Sequence, residues 1–236
     1  MQDHLQKALE KLADQPIEVT AAGRTDTGVH ASAQVVHFDT DAVRDENAWV
    51  RGTNSNLTEA ARVLWSREVP VEFHARYSAV SRTYHYLLFD DGVAPAILRQ
   101  RVGWYHKRLD AGLMEEGAKR LLGEHDFSAF RDAQCQAKSP VRTLHEASVG
   151  RRGKLVVFTF RANAFLHHMI RNVVGSLVYV GAGKQSPKWM DELLESKDRR
   201  NAAPTFAPDG LYLAGVEYDR SFDLPAFRAQ PLLDTP

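Results

Sequence analysis

The sequence predicts an α+β fold built from two related split βαβ units, and three observations lead to it. The second half of the chain alternates strand and helix patterns as β-α-β-β-α-β with one added helix, which is the split βαβ plan. The first half reads α-β-β-α-β-β, the same plan without an opening strand. Between them, Asp90 to Arg101 shows no periodicity and contains Gly92-Val93-Ala94-Pro95, the composition of a linker. The expected units are therefore 1–95 and 96–236, in keeping with domains of roughly 100–200 residues.

Taken in order, Leu5, Ala8, Leu9 and Leu12 fall at helical spacing, so 3–14 is an amphipathic helix ended by Pro16. Ile17 to Thr20 and Ala33 to Phe38 are short strands on either side of a glycine-containing polar loop. Residues 45–56 form a helix despite Gly52, and the alternation of Val63, Trp65 and Val69 reads as a strand closed by Pro70. Ser81 to Phe89 is a strand with Arg82, Tyr84, Tyr86 and Leu88 on one face, and Asp90-Asp91-Gly92 ends it. In the second half Val102 to His106 is a strand, and Asp110 caps a helix whose stripe is Met114, Gly117, Ala118 and Leu121. Val141 to Val149 and Leu155 to Arg161 pair through the turn Gly150-Arg151-Arg152-Gly153. Leu166, Met169, Ile170, Val173, Val174, Leu177 and Val178 make the longest apolar stripe, stopped at Gly181 to Gly183. A shorter helix opens at Ser186 with Pro187 in its first turn. Leu211 to Tyr218 is the last strand, and a Pro-rich polar tail follows.

Composition narrows the function classes. Hydrophobic residues at 44% and charged residues at 25% describe a globular chain with a sizeable core. The single cysteine, Cys135, excludes an internal disulfide and a Cys-rich metal site. No apolar run approaches ~18 residues, so no transmembrane helix is expected. Met1 to Leu12 has no signal-peptide pattern, and the expected location is the cytoplasm. Thirty basic residues balance thirty acidic ones, so nucleic acid would be held only by a local patch on a neutral body. The basic set is 21 Arg to 9 Lys, and Arg suits phosphate and stacking contacts.

The segment Ala22-Gly23-Arg24-Thr25-Asp26-Thr27-Gly28-Val29-His30-Ala31 packs Arg, Asp and His with two glycines into a loop between strands. There the backbone can approach a ligand closely. An Arg two residues from the carboxylate can hold Asp26 ionised and oriented, as a nucleophile requires. Asp and Gly also make ordinary turns, and Arg–Asp pairs decorate many surfaces. Residue types alone leave both readings open, the turn being the commoner.

Four blocks in order shift that balance. Ala22 to Ala31 resembles the catalytic loop of the tRNA pseudouridine synthase A family. Arg82-Thr83-Tyr84-His85-Tyr86 is similar to the family's second motif. His125-Asp126-Phe127-Ser128-Ala129-Phe130-Arg131, with Cys135-Gln136-Ala137-Lys138-Ser139-Pro140 after it, resembles its central signature. Asn163-Ala164-Phe165-Leu166-His167-His168-Met169-Ile170-Arg171-Asn172-Val173-Val174-Gly175 is similar to its third motif. The resemblance covers nearly the whole chain. It implies a pseudouridine synthase fold of ferredoxin-like, RRM-like units, and an isomerase acting on uridines at tRNA positions 38, 39 and 40 in the anticodon stem-loop. It also implies tRNA as partner, a homodimer with a basic cleft, no membrane, and no metal or other cofactor.

By the same resemblance Asp26 is the catalytic aspartate and Tyr84 the tyrosine that stacks on the target base and helps to handle protons. Arg171 is the arginine paired with the aspartate, and Arg24 the one that occupies the space left by a flipped uridine. The chemistry is coherent. A carboxylate can act covalently and divide one hard step into two, and the detached uracil has to be caged so that it recombines. An aromatic plane suits an unstacked base, and a guanidinium in the gap offsets part of the roughly few kcal/mol that flipping costs. Each residue also has an ordinary reading: Arg24 bracing the loop, Tyr84 in a core, Arg171 on a solvated flank.

His30 is expected in a loop hydrogen bond and, with Arg82, Lys138 and Arg142, is a candidate RNA contact. Arg151-Arg152-Gly153-Lys154 and Lys197-Asp198-Arg199-Arg200 are weaker phosphate candidates. Val173 to Val180 offers apolar surface for packing of some kind. A metal site is not expected, because adjacent His167 and His168 would point to different sides of a helix. His30, His37, His74, His85 and His125 show no ligand spacing. Cys135 reads as structural.

Two rivals belong to other classes. An RNA-binding module without activity suits split βαβ sheets, but has no need of Asp26, Tyr84 and Arg171 together. A hydrolase using Asp26 as base needs a second acid or a metal cluster, and neither shows at recognisable spacing. Family members usually open with a strand carrying a Tyr-Asp-Gly turn and a Gly-Trp-Gln element, ahead of the helix at 3–14. The first half lacks that strand, so truncation is expected, with a catalytically impaired RNA-binding chain as the alternative.

Overall fold

The leucine spacing near the start makes α1 (Gln2–Ala13), which buries Ala8, Leu9 and Ala13 and stops where Asp14 turns left-handed ahead of Pro16. The computed structural model describes residues 1–225, and these divide into two units. The first comprises Met1–Arg24, Gln34–Val80 and the segment beginning at Glu217; the second comprises Thr25–Ala33 and Ser81–Val216.

In the first unit β1 (Thr20–Ala21) pairs antiparallel with β3 (Val36–His37), while β2 (His30–Ala31) between them joins the sheet of the second unit. Both strands are shorter than the apolar runs suggested. The helix α2 (Glu46–Asn56) is capped by Asp45, whose carboxylate accepts the Ala48 N–H at 2.7 Å. Leu9, Ala13, Ile17 and Val19 form a small core, with Leu5, Val36, Phe38 and Trp49 packed against it. Val63 to Val69 is not a strand. The Asn54 side chain takes both the N–H and the C=O of Val63, each at 2.8 Å, so a side chain satisfies backbone that a partner strand would otherwise pair.

The second unit is built on a seven-stranded sheet. Its elements are β4 (Ala79–Asp90), β5 (Gly103–Tyr105), α3 (Ala111–Lys119), β6 (Gly123–Asp126), β7 (Val141–Arg152), β8 (Leu155–Ala162), α4 (Met169–Gly181), α5 (Trp189–Ser196) and β9 (Leu211–Tyr218). The strand order is β2-β9-β4-β8-β7-β6, with β5 alongside β4. β4 therefore lies inside this sheet, antiparallel to β8 from Arg82↔Ala162 to Phe89↔Leu155. The sequence reading had assigned it to the first unit. The expected linker at 90–101 also falls within the second unit, and Val102 to His106 supplies only the short β5.

Other elements shift for local reasons. β6 is polar throughout, so no apolar alternation announces it; it pairs with β7 from Gly123↔Leu144 to Asp126↔Val141. The β7–β8 hairpin turns at Gly153-Lys154, with Gly153 at φ 60°, and strand pairing runs on through Gly150 to Arg152. Asp110 caps α3 as expected, accepting the Leu113 N–H at 3.0 Å. α5 begins at Trp189 after a turn from Ser186. Val173, Val174, Leu177, Val178 and Val180 of α4 are buried in the core with Met114, Phe158 and Phe160. Burying such side chains stabilises by about 1.5–3 kcal/mol each. That stripe is spent on the core, and it offers no free apolar face to a partner. No helix among the described residues is long and apolar enough to cross a membrane.

Candidate active site

Four segments of the second unit converge on Asp26: its own loop, the start of α4, the stretch after Phe130, and β4. The loop turns through a Val29 N–H to Asp26 C=O bond of 3.0 Å and through Gly28 at φ 86°. A side chain at Gly28 would be strained by that φ and would press on Pro208. Beyond the turn, His30 stacks on Tyr212 at 4.7 Å, and its Nε2 lies 2.8 Å from the Gln100 carbonyl. His30 thus makes the loop hydrogen bond that its position suggested.

Arg171 lies in the first turn of α4 with its side chain 14% exposed. Its Nη1 donates to Asp26 Oδ2 at 2.9 Å and its Nε donates to the Phe206 carbonyl at 2.9 Å. The guanidinium spans a carboxylate and a carbonyl; it does not grip the carboxylate with both arms. Gly175, one turn on, makes room for this, since a Cβ there would collide with the Pro204 carbonyl oxygen.

The two histidines depart from expectation. His168 sits just before the helix in the left-handed region, φ 58°, so regular helical angles do not separate it from His167. The rings stack at 3.9 Å and 28°, and both face Asp26. His168 Nε2 is 3.0 Å from Asp26 Oδ2, and His167 Nε2 is 3.3 Å from Asp26 Oδ1. The opposite nitrogens face Asp132, with His168 Nδ1 at 2.8 Å and His167 Nδ1 at 3.5 Å. Asp132 itself accepts the Gln134 N–H at 2.8 Å. That N–H, and then the two histidines, hold its carboxyl below the usual range against the effect of burial. Asp26, His167 and His168 each offer a metal-donor atom, all within 4.8 Å of one another.

Tyr84 is half-buried on β4 and meets the edge of Phe165 at 5.2 Å. Burial pushes its hydroxyl up to about 12; Arg82 works against that rise and the Asp26 charge adds to it. Arg82 Nη1 donates to the Asn163 carbonyl at 3.0 Å, tying β4 to the segment before α4. Arg24 and Lys138 are exposed. Arg142 turns its Nη1 to the Ser139 and Val141 carbonyls, at 2.9 and 2.5 Å, and braces its own strand end. Arg131 donates to the Cys135 and Ala137 carbonyls and folds the central signature upon itself.

The basic clusters are largely engaged within the protein. Arg151 grips Asp90 with both arms at 2.8 and 2.6 Å, and Lys154 pairs with Asp91. Arg199 donates to Asn172 and Thr205, and Arg200 pairs with Asp198 at 2.6 Å. His167, His168 and Asp132 are the site residues that sequence reasoning missed. All three lie in or beside quoted motifs, but nothing in their spacing tells that they meet at one carboxylate.

Comparison with known proteins bears on the same residues. A family model described as tRNA pseudouridine synthase matches residues 1–78 and 118–219. The chain is 56% identical over 225 residues to a tRNA pseudouridine synthase A of Methylobacillus flagellatus, covering 95% of this chain and 86% of that one. It is 54% identical over 237 residues to that of Herminiimonas arsenicoxydans, covering 99% and 86%, and 56% identical over 225 residues to that of Aromatoleum aromaticum, covering 95% and 85%. With matches of this extent on both sides of the Asp26 loop and through α4, the chain belongs to the tRNA pseudouridine synthase family.

Proposed function

We propose that this chain isomerises uridine to pseudouridine in tRNA, at positions 38, 39 and 40 of the anticodon stem-loop, with Asp26 as nucleophile. The observation that carries the reading is the Asp26 carboxylate held at 2.9 Å by Arg171, near enough to Tyr84 for its charge to act on the hydroxyl. Asp26 attacks the nucleoside and forms a bond to it, and the uracil C–N glycosidic bond breaks. The base turns and rejoins the ribose through carbon, and the bond to Asp26 breaks to return the free carboxylate. Composition is unchanged in an isomerisation, so the proton lost from that carbon is matched by one gained at the freed nitrogen. Arg171 keeps the carboxylate oriented, and Tyr84 offers an aromatic face with a hydroxyl that stays protonated at neutral pH.

Arg24, His30, Arg82, Lys138 and Arg142 belong to this reading as RNA contacts; Arg24 and Lys138 have the exposure for it. We read β4-α3-β7-β8-α4-β9, in the order β9-β4-β8-β7, as a split βαβ unit. A cytoplasmic homodimer follows from the resemblance. The hydrolase rival needs a second acid or a metal cluster. Asp26, His167 and His168 offer metal-donor atoms close together, and what counts against that rival is membership of a pseudouridine synthase family. The impaired RNA-binding alternative gains no support from the relatives.

The test is pseudouridine formation in a short anticodon stem-loop, with the three uridines changed to cytidine one at a time. Product at those positions is expected. Product elsewhere in tRNA, with none in the stem-loop, would overturn the assignment of position.

A further inference from the structure

We propose that Asp26, His167 and His168 form a binding site for a zinc-type dication, and that its occupancy silences the enzyme by capturing the nucleophile. The silencing rests on the catalytic reading of Asp26; the binding does not. Zinc takes imidazole nitrogen at about 2.0–2.1 Å and carboxylate oxygen at about 2.0–2.2 Å in tetrahedral sites, which sets ligand atoms roughly 3.3–3.5 Å apart. Here His168 Nε2 is 3.0 Å from Asp26 Oδ2 and His167 Nε2 is 3.3 Å from Asp26 Oδ1, so the carboxylate presents one oxygen to each ring. One donor atom from each residue lies within 4.8 Å of the others.

The orientation of the rings is the stronger observation. Both histidines turn Nδ1 toward Asp132 and Nε2 toward Asp26. An Nδ1–H donated to Asp132 leaves the Nε2 lone pair aimed at the cluster. Metal-ligating histidines are oriented in this way by a carboxylate behind them. Asp132 is in turn fixed by the Gln134 N–H. Side-chain exposures of 26% for Asp26, 38% for His167 and 22% for His168 leave the site open to an ion and to a water at the fourth position. Arg171 on Asp26 Oδ2 opposes a second cation, and Asp132 offsets it. Imidazole donors favour zinc, copper or nickel over magnesium, so magnesium is not expected to compete.

The experiment titrates the untagged protein with zinc chloride against a chromophoric chelator, and separately with cobalt chloride, followed by its visible absorption. Wild type, His167→Gln, Asp132→Asn and the double variant His167→Gln/His168→Gln are compared after thermal melts establish folding. One tight site is expected in wild type. Asp132→Asn should weaken it by about 10–100-fold, the cost of losing a carboxylate behind a ligand. The double variant should abolish it. Stem-loop isomerisation should fall in step with zinc occupancy, return on adding chelator, and ignore millimolar magnesium. Unchanged zinc affinity in the double variant would place the ion elsewhere and overturn the site. Zinc bound through the histidines with full turnover would keep a histidine site and overturn the capture of Asp26 and the silencing. The role of Asp26 itself stands or falls on the separate Asp26→Asn assay.

Discussion

Asp26 accepts a hydrogen bond from Arg171 with two stacked imidazoles beside it, so its carboxylate is positioned by Arg171 before any substrate arrives. Asp26→Asn keeps the shape and, on the proposed mechanism, removes the nucleophile. Pseudouridine formation should drop below detection while tRNA binding stays within about threefold, because phosphate contacts supply most of the affinity. Appreciable turnover by a verified mutant preparation would end the nucleophile assignment. Arg171 bridges Asp26 and the Phe206 carbonyl with two different nitrogens. Lysine can reach one of the two, and alanine neither. A charge-assisted hydrogen bond is worth about 1.5–3 kcal/mol, so Arg171→Lys should lose roughly 10–100-fold in kcat, and Arg171→Ala more. Equal rates in all three proteins would show that the contact does not matter to catalysis.

At the scale of elements, α4 and the β7–β8 hairpin carry the clearest consequences. Gly175 lets the backbone around Pro204 lie against α4, and that segment leads to the Phe206 carbonyl which holds Arg171. Gly175→Ala should cost about 1–3 kcal/mol by overpacking against backbone and should lower kcat as well. Gly150→Ala, which meets open space, serves as control in calorimetry and in turnover assays. From the hairpin, Arg151 grips Asp90, whose side chain is fully buried at the end of β4. Burial alone would raise its carboxyl; the Arg151 hydrogen bonds, the Leu109 N–H and the charges of Arg151 and Arg108 outweigh it and leave it lowered. A lowered carboxyl adds stability above the unfolded value of about 3.9, and that stability is lost as pH falls through the folded value. Arg151→Met leaves the buried carboxylate with only the Leu109 N–H at 2.8 Å and Arg108 at 3.6 Å, and should cost about 1.5–3 kcal/mol at pH 7. The deficit should shrink toward pH 4, where the under-compensated carboxyl takes a proton; a pH-independent deficit in denaturant titrations would exclude this origin.

For the whole molecule, formal neutrality conceals how the arginines are used. Arg131, Arg151, Arg171 and Arg199 hold carbonyls, carboxylates or amides of the protein itself, so basic residues in the sequence overstate what is available to phosphate. Isomerisation needs no oxidant and no energy source. Turnover on a short stem-loop should therefore survive exhaustive chelation and need no added nucleotide. Loss of activity in chelator, with recovery on adding zinc, would count against that expectation and against the inhibitory role of the same ion.

Much of this was written locally. The stripe from Met169 to Val178, the Asp110 cap and the last strand Leu211–Tyr218 follow from periodicity and capping, because the backbone and its nearest neighbours decide them. The order of Asp26, Tyr84 and Arg171 within recognisable blocks pointed to the family and its chemistry. Other outcomes depended on partners distant in the chain. Val63 to Val69 has the alternation of a strand, yet Asn54 claims the backbone of Val63; β6 has no such alternation, yet β7 pairs with it. β4 joins the second unit because β8, some seventy residues on, offers the matching edge. The meeting of His167, His168 and Asp132 at Asp26 needed both the left-handed backbone of His168 and the folding of the central signature. Spacing along the chain cannot encode a contact whose geometry is set by where two other segments come to rest.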